Sequence, residues 1–196
     1  EEGEGEDEDE LPELEWDEGE DEDEDEEQDC TSLHDCVERG DLAKVKDLLA
    51  KGEDVNQSKY GRTALIDAVF HKKLDIVEAL LEQKADLNLQ SKDGWTALML
   101  GVRYSADEVV KALLEKNPYL DVQDKVQQNT AFSLAVKQGR PEFVAWMMPK
   151  VNVNAQIDTN GQTAILLAAI SNVINILLDN EATLEHADKF GNTPLL

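Results

Sequence analysis

The stretch GRTALIDAVFHKKLDIVEALLEQKADLN, Gly61 to Asn88, holds two short apolar stripes separated by a polar turn. Thr63 suits a helix N-cap, its hydroxyl oxygen accepting a backbone N–H of the first turn. Leu65, Ala68 and Val69 then share one helical face. The segment HKKLD breaks that helix. A second follows with Ile76, Val77, Leu80 and Leu81 on its buried side. EQKADLN leaves this second helix in an extended form. Gly61 stands two residues before Thr63, where a turn with positive φ favours glycine.

The same unit recurs. Thr63, Thr96, Thr130 and Thr163 each open a T-A-[L/I/F] tripeptide, with a weaker copy at Thr31 and a last one, NTPLL, at Thr193. The threonine spacings are 32, 33, 34, 33 and 30 residues. Seventeen residues after each of the first four threonines lies an apolar pair: Leu48-Leu49, Leu80-Leu81, Leu113-Leu114 and Met147-Met148. EDVN, ADLN, LDVQ, VNVN and ATLE keep the same period. Three features in one register identify a repeat array, whose units bury their cores between neighbours.

The pattern resembles the ankyrin repeat: G-x-T-P-L-H, two antiparallel helices and a hairpin loop. The resemblance implies an all-α solenoid over residues 30–196, with a degenerate first repeat at 30–57, repeats at 58–90, 91–124, 125–157 and 158–187, and a partial one at 188–196. Pro141 suits the first turn of its helix. The sequence departs from the family in places. Alanine replaces the proline in four copies, and Pro194 alone keeps it. The family histidine, which braces neighbouring loops, stands only at His34, with Ile66, Met99 and Ser133 at the equivalent positions. Gln128 replaces the turn glycine. The copy from Asp158 is three residues short around AAISNVI, and omitted residues near Ser171 are the expected reason. No polar closing repeat follows Leu196, so the array is expected to continue.

Charge divides the chain. Of its 44 acidic residues, 21 lie in residues 1–29, which hold no Lys or Arg; the rest holds 23 acids against 18 bases. Such a polyanionic segment cannot bury enough surface to offset chain entropy, so residues 1–29 are expected to be a disordered arm. The net charge of −26 argues against nucleic acid and anionic membranes as partners. Cys30 and Cys36, with no matching ligand set, read as reduced thiols of a cytoplasmic or nuclear protein. His34, His71 and His186 fall in different repeats. No metal site, cofactor or enzyme motif is expected.

In the ankyrin family the concave face of hairpin tips and first-helix ends binds proteins. By resemblance, that face here includes Tyr60, Arg62, Phe70, His71, Lys92, Trp95, Arg103, Tyr104, Asn129 and Lys137. Tyr, Trp and Arg are the types enriched at binding hot spots. Phe70 and Trp95 have the alternative of covering neighbouring hairpins. In the arm, LPELEW supplies Leu11, Leu14 and Trp16 as anchors amid charge. The arm has three readings: a solubilising tail, a docking arm for a basic protein, or an internal occupant of the groove. The leading expectation is a non-catalytic scaffold or adaptor that binds a partner segment, with the arm steering or docking a basic partner. A chaperone-like escort for a basic protein such as a histone or ribosomal protein is the alternative, as is a regulatory segment of a larger enzyme or channel.

Overall fold

The computed structural model describes residues 30–104, 106–168 and 172–194. The expected arm, with Leu11, Leu14 and Trp16, and the junction at Ser171 lie outside the described residues.

Among the described residues ten α-helices form five antiparallel pairs: α1 (Leu33–Arg39) with α2 (Leu42–Ala50), α3 (Ala64–Phe70) with α4 (Leu74–Glu82), α5 (Ala97–Arg103) with α6 (Asp107–Glu115), α7 (Ala131–Lys137) with α8 (Pro141–Met147), and α9 (Ala164–Leu167) with α10 (Ile174–Asp179). A 3-10 turn, Met148–Lys150, prolongs α8. First helices pack on first helices and second on second along the stack, giving two layers. The core lies between them. Leu65, Ile66 and Val69 of α3 meet Ile76, Val77 and Leu80 of α4, all fully buried. The α6 helix turns Val109, Val110, Leu113 and Leu114 inward in the same way.

Local chemistry starts four of the five first helices, whereas Thr163 precedes α9 without a capping side-chain hydrogen bond among the described residues. The Thr63 hydroxyl accepts the Ile66 N–H at 3.3 Å. Thr96 and Thr130 do the same for Met99 and Ser133. Ser133 Oγ also accepts the Thr130 N–H at 2.9 Å, completing a reciprocal cap. The first repeat departs from the threonine register: Ser32, not Thr31, caps α1 by accepting the Asp35 N–H. Pro141 occupies the first turn of α8, where its missing N–H costs nothing.

Hairpin tips link the repeats. Strands β1 (Ser58–Lys59) and β2 (Arg62–Thr63) pair antiparallel. The Lys92 N–H donates to the Gly61 carbonyl, Lys125 N–H to that of Asp93, and Lys189 N–H to that of Asn160. Gly94 shows why glycine is needed there. Its φ is +88°, and a Cβ would stand 2.6 Å from the Lys125 nitrogen. Gln128 takes the corresponding turn at φ +55°, a conformation rare for a side-chain-bearing residue. Both Ser91 and Asp124 accept backbone N–H groups within their hairpins, Ser91 from Trp95 four residues on and Asp124 from Asn129 five residues on. The 34-residue spacing therefore reflects one extra residue in this tip.

A further ladder uses the asparagines of the periodic V/L-N signal. Asn56 Oδ1 accepts the Asp86 N–H, Asn88 Oδ1 that of Tyr119, and Asn154 Oδ1 that of Thr183, each at 2.8 Å. In the third repeat Gln123 replaces the asparagine, and among the described residues its side chain makes no such bond. A cavity of about 470 Å³ opens at that junction, lined by Tyr119, Leu120, Gln123, Phe132, Val151 and Ile157 among others.

The cysteines correct one expectation. Cys30 and Cys36 form a disulfide rather than two thiols, closing the lead-in onto α1. Six-residue spacing across a bend and a helical turn brings their Cα atoms to 5.1 Å, within disulfide reach.

Candidate protein-binding face

The first-helix C-termini and the hairpin tips supply the side chains expected to recognise a partner. Because the helices stack in register, residues about 33 apart become neighbours. Phe70 at the end of α3 and Tyr104 just after α5 meet edge to face, their ring centroids 5.4 Å apart. His71 packs on Phe70 at 5.1 Å and is exposed. The row continues to the next repeat, where Gln138 Nε2 donates to the Arg103 carbonyl at 3.3 Å. Lys137 is half-buried beside it. Tyr60 projects from the first hairpin tip at 80% exposure, with Lys59 Nζ 5.1 Å from its ring. Lys92 is exposed on the next tip.

Two expected contact residues turn inward. Trp95 is only 3% exposed. Its backbone N–H donates to Ser91 Oγ, and the Arg103 guanidinium lies 5.5 Å from its ring. It covers the hairpin and joins the core, so the expectation that it faces a partner is corrected. Asn129 is likewise buried at 1%. Its N–H donates to Asp124 Oδ2 and its side-chain amide to Gln127 Oε1, which ties it to the enlarged tip.

Arg62 is also drawn in. Its Nε stands 2.6 Å from Asp67 Oδ1, close in distance though poorly aligned for a hydrogen bond, and Glu38 lies 3.9 Å from its other nitrogen. Asp67 in turn binds His34: Nδ1 to Oδ2 is 2.7 Å, and His34 Nε2 lies 3.1 Å from the Gln57 carbonyl. Spacing alone did not mark this cluster, although His34 and Asp67 are 33 residues apart, one repeat period. Burial pushes the His34 imidazolium down, but the Asp67 and Gln57 hydrogen bonds and the Asp67 charge outweigh it. The pKa therefore sits above the ordinary histidine value.

The two layers differ in charge. The exposed charged residues of α4 and α6 are Asp75, Glu78, Glu82, Asp107, Glu108 and Glu115, with Lys111 the one base among them. The first-helix ends and tips carry His71, Lys72, Lys92, Arg103, Lys125 and Lys137 instead. Acids on this side are engaged internally: Asp35 with Lys59 at 2.6 Å, and Asp67 with His34 and Arg62. Asp93 and Glu38 are exposed exceptions. No group of three or more His, Cys, Asp or Glu among the described residues could hold a metal ion. Nor is any described helix long and apolar enough to cross a membrane.

Comparison with known proteins agrees with this architecture. A family model described as ankyrin repeats (3 copies) matches residues 17–91 and 33–125. The ankyrin repeat protein YahD of Escherichia coli (strain K12) is 26% identical over 168 residues, covering 81% of this chain and 83% of its own. A chain from the structure of the Bd0816 predatory endopeptidase from Bdellovibrio bacteriovorus in complex with immunity protein Bd3460 superposes with a TM-score of 0.73. It is 31% identical and covers 86% of this chain and 90% of its own. With paired helices, stacked hairpins and a matching family model over more than half its length, the chain belongs to the ankyrin-repeat family.

Proposed function

We propose that this chain is a non-catalytic interaction module that recognises a segment of another protein along the face built by the first-helix ends and hairpin tips. The observation that carries this reading is the Phe70–Tyr104 contact with His71 beside it. Aromatic residues from successive repeats form one surface there instead of isolated points. The likeness to a chain from a complex of two proteins supports partner binding in general. The polyanionic residues 1–29 act in the same reading as a steering arm, raising the encounter rate with a basic partner through long-range attraction.

The test is capture of partners by the full chain followed by mass spectrometry, comparing wild type with Tyr104→Ala, Lys92→Glu and, on the second layer, Glu78→Lys. A partner lost on the first two variants and kept by the third places recognition on this face. A partner lost equally from all three, or from none, refutes it. A second reading, an escort for a basic protein, draws on the 21 acids of residues 1–29. It requires that deleting those residues abolish capture of basic proteins, where the steering reading requires only a slower, less salt-sensitive association.

A further inference from the structure

We propose that the basic face around Phe70, Tyr104 and Arg103 is occupied in the resting protein by the chain's own segment Leu11–Trp16. This inference rests on the face being the recognition surface and names its regulator. The charge asymmetry of the solenoid favours one class of occupant. Exposed carboxylates predominate on α4 and α6, while the first-helix ends and hairpin tips carry His71 against Phe70, Lys72, Lys92, Lys125 and the half-buried Arg103 and Lys137. The segment that meets this surface is therefore acidic, with apolar groups to set against Phe70 and Tyr104, and a basic region elsewhere on the partner is what the arm attracts.

Residues 1–29 have that composition. They carry 21 acids and no base, and their large apolar residues are gathered in LPELEW. A solubilising tail has no use for a Leu-Leu-Trp set. The tether is also short enough to make the contact local. Residues 17–29 separate Trp16 from Cys30, and an extended chain spans about 3.3–3.6 Å per residue, or roughly 45 Å. The face lies two helix steps from α1, roughly 20 Å at 8–10 Å per step. Cys30 itself is held to α1 by its disulfide, so the tether is anchored at the edge of the stack. Tethering at this length gives an effective concentration in the millimolar range, so even a weak contact is well populated in cis. A partner must displace the segment, which sets a threshold on binding without any change in the solenoid.

Trp16 is one of three tryptophans, with Trp95 buried and Trp146 half-buried. Its own emission is therefore the difference between the full-length wild type and the full-length Trp16→Phe variant. Quenching by neutral acrylamide reads its exposure. The expected result is severalfold protection of Trp16, independent of protein concentration. The protection is lost on Tyr104→Ala, on the double charge reversal Lys92→Glu with Lys137→Glu, and at about 1 M salt, where the screening length is about 3 Å. A Trp16 quenched as freely as in the denatured chain overturns the proposal. So does protection that survives the charge reversal, which places the segment elsewhere, or that grows with concentration, which makes a second copy the occupant. If Trp16 proves solvated while partner capture still depends on Tyr104, the internal contact fails and the recognition face stands. If capture ignores Tyr104, the face itself fails.

Discussion

His34 Nδ1 lies 2.7 Å from Asp67 Oδ2, and both side chains are buried at the junction of the first two repeats. The other ring nitrogen faces the Gln57 carbonyl. Neither a carboxylate nor a carbonyl can donate, so both ring nitrogens must, and His34 is held as imidazolium. Its folded pKa is raised, so the stability it contributes is fully present below the unfolded value near 6.5 and is lost as pH rises through the higher folded value. Arg62 and Lys59 are the cations near it, Asp67 and Asp35 the anions. Denaturant unfolding of wild type and His34→Ala from mildly acidic, below the unfolded value, to alkaline pH checks this. The variant is expected to lose about 3 kcal/mol at low pH, the scale for one partner removed from a buried pair. The difference should shrink as pH rises. A gap that is flat across this range excludes the imidazolium.

The asparagine ladder fails where Gln123 stands, and the cavity of about 470 Å³ lies at that failure. Glutamine is one methylene longer, which moves its amide oxygen away from the position that Asn56, Asn88 and Asn154 use to accept from the following repeat. Gln123→Asn is expected to bond the Asn152 N–H, the equivalent donor, and to raise stability by about 1 kcal/mol. Denaturant midpoint and amide exchange at Asn152 measure it. Unchanged exchange there would show that the junction, not the side chain, sets the gap.

The Cys30–Cys36 disulfide closes a loop of six-residue separation at the open end of the stack. Chain-entropy scaling gives about 2 kcal/mol for a loop of this length. In a solenoid whose units lean only on neighbours, that loss falls mainly on the first repeat. Reduction, or paired substitution to Ser, is expected to raise amide exchange over α1 and α2 while leaving α5 to α8 protected. Uniform loss of protection would mean that the repeats unfold as one unit.

Features set by neighbouring residues could be read directly from the chain. Thr63, Thr96 and Thr130 cap helices because an N-cap needs only its own first turn. Glycine at 61 and 94 marks positive φ for the same reason. The repeat period then supplied the packing order. What the chain hid depends on three-dimensional approach. Trp95 occupies a position that faces the groove in the family, yet here it folds onto its hairpin beneath Arg103. The cysteine pairing needs the bend before α1. The His34–Asp67 bond was in principle readable, since the two residues sit one period apart and each is a polar group in an apolar stripe. The 34-residue spacing, by contrast, showed one extra residue in that repeat, but neither its place in the tip nor the burial of Asn129 there.

Trp95 and Tyr104 separate core from face within one repeat. Trp95 is 3% exposed and part of the core, whereas Tyr104 is half-buried and meets Phe70 at its edge. Trp95→Ala removes a large buried ring and is expected to cost about 3–5 kcal/mol. Tyr104→Ala loses one aromatic pair at the surface, about 1 kcal/mol. Thermal and denaturant unfolding of the two variants give the comparison, and partner capture gives its functional counterpart. Tyr104→Ala should remain folded and lose its partner, and Trp95→Ala should lose its partner only in proportion to the unfolded fraction. A Tyr104→Ala protein as unstable as Trp95→Ala would place Tyr104 in the core and remove the ground for treating it as a contact residue.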